Sequence, residues 1–243
     1  MRCSMNLTYR SSVKSHAGNV RELNEDAFFS CEEKKIWCLA DGMGGYDAGE
    51  VASSMVVDAV AAVTPVADLK DSAVLVCDAL MQANREMTHQ RLGCDSMMGS
   101  TVLVLLASEA ECACIWAGDS RLYLYRDASL FQMSKDHSVV QELIDKGVIP
   151  TEEACQHPQS HVITRAVGAD KHLDLEVIYF ELQAGDVLLL CSDGLYSELT
   201  PDDIMHVLSL PGDSAYKVSE LIEKTLQQRA SDNVTVSVIE VNQ

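Results

Sequence analysis

Four aspartates stand where an apolar, strand-like run meets a turn, a position in which acidic side chains can bind metal ions. Asp41 follows Ile-Trp-Cys-Leu-Ala, Asp119 follows Cys-Ile-Trp-Ala-Gly, Asp193 follows Val-Leu-Leu-Leu-Cys-Ser, and Asp232 precedes Asn-Val-Thr-Val-Ser-Val. The end of a strand holds its carboxylate rigidly, while the adjoining turn leaves that carboxylate accessible. Four such ends brought together would offer the oxygen ligands that hard divalent cations prefer. The pattern therefore predicts a metal-dependent enzyme.

The turn after Asp41 is rich in glycine and joins a strand-like run to a helix-like run. Gly44 and Gly49 have the spacing of a Walker A phosphate loop, but Glu50 stands where that loop carries its lysine. A nucleotide-binding loop of this type is therefore excluded. The glycines indicate instead a backbone that approaches another group closely, and the Gly42 carbonyl is free to act as a further oxygen ligand.

Covalent hydrolase mechanisms can be tested by residue spacing alone. A phosphatase with a cysteine nucleophile needs an arginine six residues later, and none of the nine cysteines has one. The chain also contains no Asp-x-Asp pair, which an acyl-phosphate mechanism uses, and no Gly-x-Ser-x-Gly elbow. A hydrolase of this sequence would therefore need a metal-activated water.

Composition limits the class of protein. The 243 residues are 47% hydrophobic, enough to bury a substantial core, and we expect one domain over residues 1–243. Eighteen basic residues against 37 acidic residues give a formal charge of −19. Such a field repels nucleic acid and anionic membranes, so neither is expected as a partner. Apolar stretches such as 102–107 and 187–191 are far shorter than the roughly 20 residues that span a bilayer.

The cysteines and the N-terminal residues favour a reducing compartment. Nine cysteines form an odd set, and the first ten residues lack the apolar segment of a signal peptide. We therefore expect a cytoplasmic protein. Cys112 and Cys114 alternate along a strand-like run, with no second close pair to complete a zinc site, and are predicted to be core residues.

Hydrophobic periodicity predicts ten strands and five helices. The strands are expected near residues 7–13, 26–30, 35–40, 100–108, 111–118, 121–126, 129–133, 174–181, 186–191 and 233–241. The helices are expected near 49–63, 71–91, 137–146, 201–209 and 214–229, with Thr200 as the N-cap of the fourth. Strict βαβα alternation is absent, which favours largely antiparallel sheets covered by helices. The pattern weakens over 137–165, and this stretch, called the insert below, is predicted to be a mobile flap beside the site.

Eight short motifs occur in a fixed order along the chain. They lie at residues 21–26, 41–45, 99–101, 118–121, 134–138, 163–168, 192–195 and 232–235. In this order they resemble the motifs of the metal-dependent protein phosphatase family (PPM, type 2C), in its bacterial form. Any one motif is weak evidence, but eight in sequence are strong evidence.

The resemblance implies both a fold and an activity. The implied fold is α+β, a four-layer β-sandwich of two antiparallel sheets, each flanked by a pair of helices, with the site in a cleft at one end. The implied activity is hydrolysis of phosphoserine and phosphothreonine in proteins, opposite a Ser/Thr kinase, by a monomer. Two alternatives stay open: a non-catalytic module that binds phosphoproteins, and a regulator specialised for one signalling protein. A pseudoenzyme usually loses metal carboxylates, and none of the family's is missing here.

The resemblance also implies two Mg²⁺ or Mn²⁺ ions and assigns their ligands. Asp41 would bridge both ions and serve catalysis directly. Asp193 and Asp232 would hold the first ion, and the Gly42 carbonyl with Glu25 would hold the second. Oxygen ligands without histidine or cysteine favour Mg²⁺ or Mn²⁺ over zinc. Two such ions about 3.5–4 Å apart would lower the pKa of a bridging water.

Three further residues receive roles from the resemblance. Asp119 matches the position of a third, weaker ion that is shared with Asp193. Arg21 would bind the substrate phosphate as a catalytic residue, which suits its planar and permanently charged side chain. Asp26 is interpreted as a residue that orients the ligands.

One departure from the family concerns the proton donor. Met43 stands where many eukaryotic members carry a histidine that is proposed to protonate the leaving alkoxide. Residue 43 cannot do this here, and a metal-bound water, His137 or His161 stay open as proton sources. For both histidines, exposure or a structural hydrogen bond is the simpler expectation.

Overall fold

The computed structural model describes residues 7–44, 48–90 and 98–243, apart from the side chains of residues 152, 155 and 156. The strands in these ranges are β1 (Thr8–His16), β2 (Asp26–Cys31), β3 (Ile36–Gly44), β4 (Met98–Ser100), β5 (Val102–Ala107), β6 (Glu111–Ala117), β7 (Arg121–Arg126), β8 (Ser129–Gln132), β9 (Glu176–Glu181), β10 (Val187–Cys191) and β11 (Val234–Asn242). The helices are α1 (Ala48–Ala61), α2 (Leu69–Gln90), α3 (Val139–Asp145), α4 (Asp193–Tyr196), α5 (Pro201–Ser209) and α6 (Ser214–Leu226), with a 3₁₀ helix at Thr151–Gln156. Gly45 of the glycine-rich turn and residue 91, the expected end of the second helix, lie outside the described residues.

Two antiparallel sheets form the centre of the molecule. The strand order is β1-β11-β10-β7-β8 in the first sheet and β2-β3-β5-β6-β9 in the second, where β4 also pairs with β3. Every pairing of these strands is antiparallel. The first and last of these strands, β1 and β11, pair with each other over their whole lengths. The antiparallel arrangement expected from the missing βαβα alternation is confirmed.

Three apolar layers join the sheets and helices. One lies between the two sheets and includes Trp37, Leu103, Cys112 and Cys114, so both cysteines are core residues as predicted. A second joins the second sheet to α1 and α2, and a third joins the first sheet to α5 and α6. Because β5 lies between two of these layers, Val102–Leu106 is buried throughout, which explains its uninterrupted apolar run. The predicted four-layer α+β sandwich is confirmed.

The observed elements differ from the predicted ones in a few places. β1 extends to His16, and β9 begins at Glu176, two residues after the predicted start. The short helix α4 and the 3₁₀ helix were not predicted, because a single turn shows no hydrophobic periodicity. The insert contains α3 and the 3₁₀ helix, and its mobility stays a prediction. None of the described helices combines the length and the apolar character needed to cross a lipid bilayer.

Candidate active site

A cleft of about 580 Å³ gathers the chemically active residues that the sequence singled out. Seven of its lining residues are the predicted site residues Arg21, Glu25, Asp41, Gly42, Asp119, Asp193 and Asp232. They come from segments that lie far apart in the chain, and the two sheets bring their ends together. The structure therefore places the whole predicted set around one space.

Asp41 lies inside β3, which does not end before Asp41 as predicted but continues to Gly44, because Gly42–Gly44 pair with β4. The main chain of Asp41 is fixed on both sides. The Asp41 N–H donates to Thr101 Oγ1 at 2.9 Å, and the Thr101 N–H donates to the Asp41 carbonyl at 2.8 Å. The Ser100 hydroxyl also donates to the Asp41 carbonyl, at 3.1 Å. These bonds fix the backbone of Asp41, so its carboxylate is held rigidly, although by a position within the strand rather than at its end.

Asp26 lies directly opposite Asp41 in the β2–β3 pairing. Its Oδ2 accepts a hydrogen bond from the Ser192 hydroxyl at 2.8 Å, and its buried Oδ1 has no hydrogen-bond partner among the described residues. Burial, together with the charges of Asp193 and Asp232, raises the pKa of Asp26 to about 7. Asp26 does not line the cleft, so the structure places it behind the candidate ligands.

Asp119 and Asp193 approach the cleft from two different turns. Asp119 follows Gly118, which has φ +118°, and a Cβ on Gly118 would lie 2.6 Å from the Thr101 side chain, so only glycine fits there. Asp193 is the first residue of α4. Burial and the charge of Asp193 raise the pKa of Asp119 to about 7. The two carboxylates are thus close enough to repel each other.

Glu25 packs closely against Gly42 and Gly49, because neither glycine has a side chain. The Gly42 N–H donates to the Glu25 carbonyl at 3.1 Å. A Cβ on Gly42 would lie 2.1 Å from the Gly49 carbonyl oxygen, and one on Gly49 would lie 2.3 Å from Glu25 Oε1. The close approach predicted from the glycine spacing is therefore confirmed. Asn233 also holds this region, since its Oδ1 accepts the Glu25 N–H at 2.7 Å.

Arg21 and Asp232 form an ion pair at the mouth of the cleft. Arg21 Nη2 donates to Asp232 Oδ2 at 2.9 Å, and the two side chains are 54% and 41% exposed. This bond and the Asp232 charge raise the pKa of Arg21. The other carboxylate oxygen, Asp232 Oδ1, accepts the Asn233 N–H at 2.9 Å.

The charges around the cleft are unbalanced in favour of a cation. Among the described lining residues, the acidic side chains are Glu25, Asp41, Asp119, Asp193, Glu198 and Asp232, whereas Arg21 is the only lysine or arginine. Burial, followed by the charges of neighbouring aspartates, raises the pKa of Asp41 well above its ordinary value. A donor set made of carboxylate and carbonyl oxygens fits Mg²⁺ or Mn²⁺.

The carboxylates surround the cleft, but they do not stand close enough together to coordinate one ion as they are placed. No three Asp, Glu, His or Cys side chains in the described parts of the chain stand as a complete set for one ion. Like charges repel one another, so a bound cation would be needed to draw these oxygens together. Main-chain oxygens such as that of Gly42, and water, would complete the coordination.

The two histidines considered as proton donors occupy different environments. His137 is 6% exposed, its Nδ1 accepts the Gly118 N–H at 3.2 Å, and its Nε2 lies 3.1 Å from Glu176 Oε1. Burial lowers the pKa of His137. These contacts agree with the simpler expectation for His137, which was a structural hydrogen bond rather than a role as proton donor. His161 is 75% exposed, lines the cleft and places Nδ1 3.7 Å from an Asp193 oxygen.

Sequence reasoning assigned no role in the site to two polar residues that hold it together. Thr101 binds the main chain of Asp41, and Asn233 binds that of Glu25. Both stand inside the motifs at 99–101 and 232–235, so the motif positions were the available signal. Their hydrogen bonds span 60 and 208 residues of sequence and could not be read from local spacing.

Comparisons with known proteins agree with one another. The sequence profile of the family "Protein phosphatase 2C" matches residues 14–234. The chain is 38% identical over 241 residues to the serine/threonine protein phosphatase PstP of Mycobacterium tuberculosis, covering 97% of this chain and 45% of PstP. It is 30% identical to the serine/threonine phosphatase Stp of Listeria monocytogenes, covering 95% of each chain. The chain thus spans about half the length of the first of these relatives.

Solved structures are similar over nearly their whole length. PppA of Pseudomonas aeruginosa, described as a key regulatory component of T6SS, has a TM-score of 0.90 and 37% identity, covering 96% of this chain and 98% of PppA. The catalytic domain of PstP in complex with two manganese ions has a TM-score of 0.88 and 36% identity, covering 98% and 100% of the two chains.

Proposed function

The chain belongs to the protein phosphatase 2C family, and from this premise we propose that it hydrolyses phosphoserine and phosphothreonine in proteins. The observation that carries the proposal is the cleft in which Arg21 faces a set of carboxylates. A rival function as a non-catalytic binding module would remove the need for those carboxylates. All of the candidate ligands line the cleft, which favours catalysis.

We assign the metal ligands as the sequence implied. Asp41, Asp193 and Asp232 would hold one ion, and Asp41 with Glu25 and the Gly42 carbonyl would hold the other. Support comes from the unbalanced acidic charge of the cleft and from the two manganese ions of the related PstP catalytic domain. When bound, the ions lower the pKa of a water molecule and so supply the nucleophile for attack on phosphorus.

Arg21 is proposed to release the Asp232 carboxylate and to bind the substrate phosphate in its place. Its present partner is Asp232, and the two side chains are 54% and 41% exposed. An exposed ion pair of this kind contributes only about 0–1 kcal/mol, so it breaks at little cost. The guanidinium can then donate two parallel hydrogen bonds to phosphate oxygens. Ligation of Asp232 to an ion would favour this exchange.

We extend the proposal to the setting in which the enzyme works. Residues 1–243 act as a single catalytic domain, supported by the pairing of the first and last strands. The insert at 137–165 acts as a mobile flap that shapes substrate choice, supported by the position of His161 at the cleft. The protein acts as a cytoplasmic monomer opposite a Ser/Thr kinase, supported by its free buried thiols and acidic charge.

A peptide assay tests the proposed function. Purified protein is incubated with matched phosphoserine, phosphothreonine and phosphotyrosine peptides, with Mn²⁺ or with EDTA. We expect release of phosphate from the first two peptides, dependent on Mn²⁺. Undiminished release in EDTA would refute the metal mechanism, and binding of the peptides without any hydrolysis would favour the non-catalytic rival.

A further inference from the structure

The short helix α4 links the two carboxylates assigned to the weaker, third ion. Asp193 begins this helix and Tyr196 ends it. The Tyr196 hydroxyl donates a hydrogen bond to the main-chain carbonyl of Asp119 at 2.9 Å. One turn of helix therefore carries one carboxylate of the pair and also binds the backbone of the residue that carries the other.

The ring of Tyr196 is held in place by a half-buried arginine. The Arg121 guanidinium carbon lies 3.5 Å from the centre of the Tyr196 ring, a close cation–π contact. Two nitrogens of Arg121 donate to the carboxylate of Asp136, at 2.9 and 2.7 Å. A third nitrogen donates to the Tyr123 hydroxyl at 3.0 Å. Because the guanidinium is fixed by these bonds, the Tyr196 ring beneath it has little freedom to tilt.

Other contacts fasten the residues on either side of Asp119. The Gly118 N–H donates to His137 Nδ1 at 3.2 Å, and the Ser120 hydroxyl lies 2.8 Å from Thr101 Oγ1. These contacts tie the turn to the insert and to the second sheet. The Tyr196 bond ties the same turn to α4, and thus acts on the separation between Asp119 and Asp193.

We propose that Tyr196, held by Arg121, is a positioning residue that sets the separation of the Asp119 and Asp193 carboxylates and thereby the affinity for a third divalent ion. The inference rests on the proposed function and on the third ion that the resemblance to the family implies. Tyr196 touches neither substrate nor ion in this scheme. It acts through the Asp119 main chain, in the way that outer-shell partners of metal ligands tune metal affinity.

The test compares Tyr196→Phe with a matched control, Tyr9→Phe. Tyr9 also donates its hydroxyl to a main-chain carbonyl, that of Ser108 at 2.8 Å, and also has a cation near its ring, Lys35 Nζ at 5.6 Å from the centroid. It does not line the cleft. Each variant removes one hydroxyl and keeps the ring, so the two changes are chemically equal.

Bound Mn²⁺ is counted by electron paramagnetic resonance of the free ion during titration, which does not depend on activity. We expect Tyr196→Phe to weaken the weakest Mn²⁺ site on the order of 10-fold and to leave the tighter sites unchanged. Tyr9→Phe should match the wild type, and Asp119→Asn should abolish the weakest site. The Mn²⁺ concentration for half-maximal hydrolysis should rise in parallel for Tyr196→Phe.

Equal Mn²⁺ affinities in Tyr196→Phe and Tyr9→Phe would overturn the inference, as would a wild-type protein that binds only two ions. If Tyr196→Phe fails to fold, Arg121→Lys gives the second test, since it keeps the Tyr196 hydroxyl but removes the planar stacked cation. It should weaken the same site by a smaller factor, and an unchanged site would count against the proposal. A wild type that binds three ions but hydrolyses no phosphopeptide would refute the proposed function, while the two titrations would still decide the role of Tyr196.

Discussion

The floor and the mouth of the cleft are built in different ways. On the floor, the main chains of Asp41 and Asp119 are bound by Thr101 and Tyr196 through short hydrogen bonds. At the mouth, the exposed Arg21 and the half-buried Asp232 are joined by a single ion pair. The floor therefore fixes the main chains of the candidate ligands, whereas the mouth is suited to exchange partners as substrate enters.

The floor also concentrates charge that the mouth does not neutralise. Burial raises the pKa values of Asp26, Asp41 and Asp119, and the charge of Asp193 raises all three further. Arg21 is the only lysine or arginine among the described lining residues, and it lies at the mouth. The buried carboxylates of the floor therefore lower the stability of the metal-free protein, and replacing one of them should lower activity while raising that stability.

The largest effect is expected from Asp41→Asn on the floor. Loss of the bridging carboxylate should lower kcat by about 10³-fold or more, which corresponds to about 4 kcal/mol of activation free energy. The same change removes a charge that its neighbours repel, so the metal-free variant should melt at a higher temperature than the metal-free wild type. Steady-state kinetics and calorimetry in EDTA measure the two effects. A variant that loses activity and stability together would contradict the comparison.

A smaller effect is expected from Arg21→Ala at the mouth. Because Arg21 is proposed to bind the phosphate and is exposed, KM should rise about 10-fold while the melting temperature changes little. Arg21→Lys serves as the control, since it keeps the charge but loses the planar pair of donors, and it should fall between the two. An unchanged KM and kcat in Arg21→Ala would remove Arg21 from the account.

Thr101→Val tests how firmly the floor must be held. Valine keeps the shape of the side chain but leaves the Asp41 N–H without its acceptor, at a cost of about 1–3 kcal/mol in unfolding free energy. Catalysis should fall several-fold because Asp41 is less well placed. Thr101→Ser, which keeps the hydroxyl, should retain most of the activity. Denaturant titration and kcat/KM measure both effects, and equal activity in the two variants would show that this bond does not matter.

The smallest effect concerns the pH dependence of stability in EDTA. The pKa values of Asp26 and Asp119 are about 7 in the folded protein, above the value of 3.8 that is ordinary for aspartate. Between these values the folded state binds more protons than the unfolded state, so the unfolding free energy falls as pH rises through that window. The metal-free protein should therefore melt a few degrees higher at about pH 5.5 than at about pH 8.

Two further measurements isolate this effect from other titrating groups. Asp119→Asn should reduce the difference between the two pH values, because one of the responsible groups is gone. Added Mn²⁺ should raise the melting temperature most at the higher pH, where the carboxylates are charged. A melting temperature that rises with pH in EDTA, and does so equally in Asp119→Asn, would contradict the assignment.

The parts of the structure that were predicted from sequence are those encoded locally. β5 was visible as an apolar run because it is buried on both faces. Thr200 was predicted as an N-cap, and it forms a capping box with Asp203 at the start of α5. The aspartates of the cleft stand in or next to strands that periodicity reveals, whereas their placement around one cleft was expected from the resemblance of the motifs to the family.

The parts that could not be predicted depend on contacts between distant segments. The bond from Tyr196 to Asp119 spans 77 residues, and the pairing of Arg21 with Asp232 spans 211. His137 was left open as a proton donor because its stacking on Trp116, with ring centres 5.9 Å apart, has no local signal. Such contacts decide which polar residues face the cleft and which support the residues that face it.

The most direct test of the account is a crystal structure of the protein with Mn²⁺, with the ions located by anomalous scattering. We expect two strong peaks about 3.5–4 Å apart, both in contact with the Asp41 carboxylate, and a weaker third peak between Asp119 and Asp193. A cleft without anomalous peaks at saturating Mn²⁺, or peaks that leave Asp41 without contact, would contradict the assignment of these residues as metal ligands.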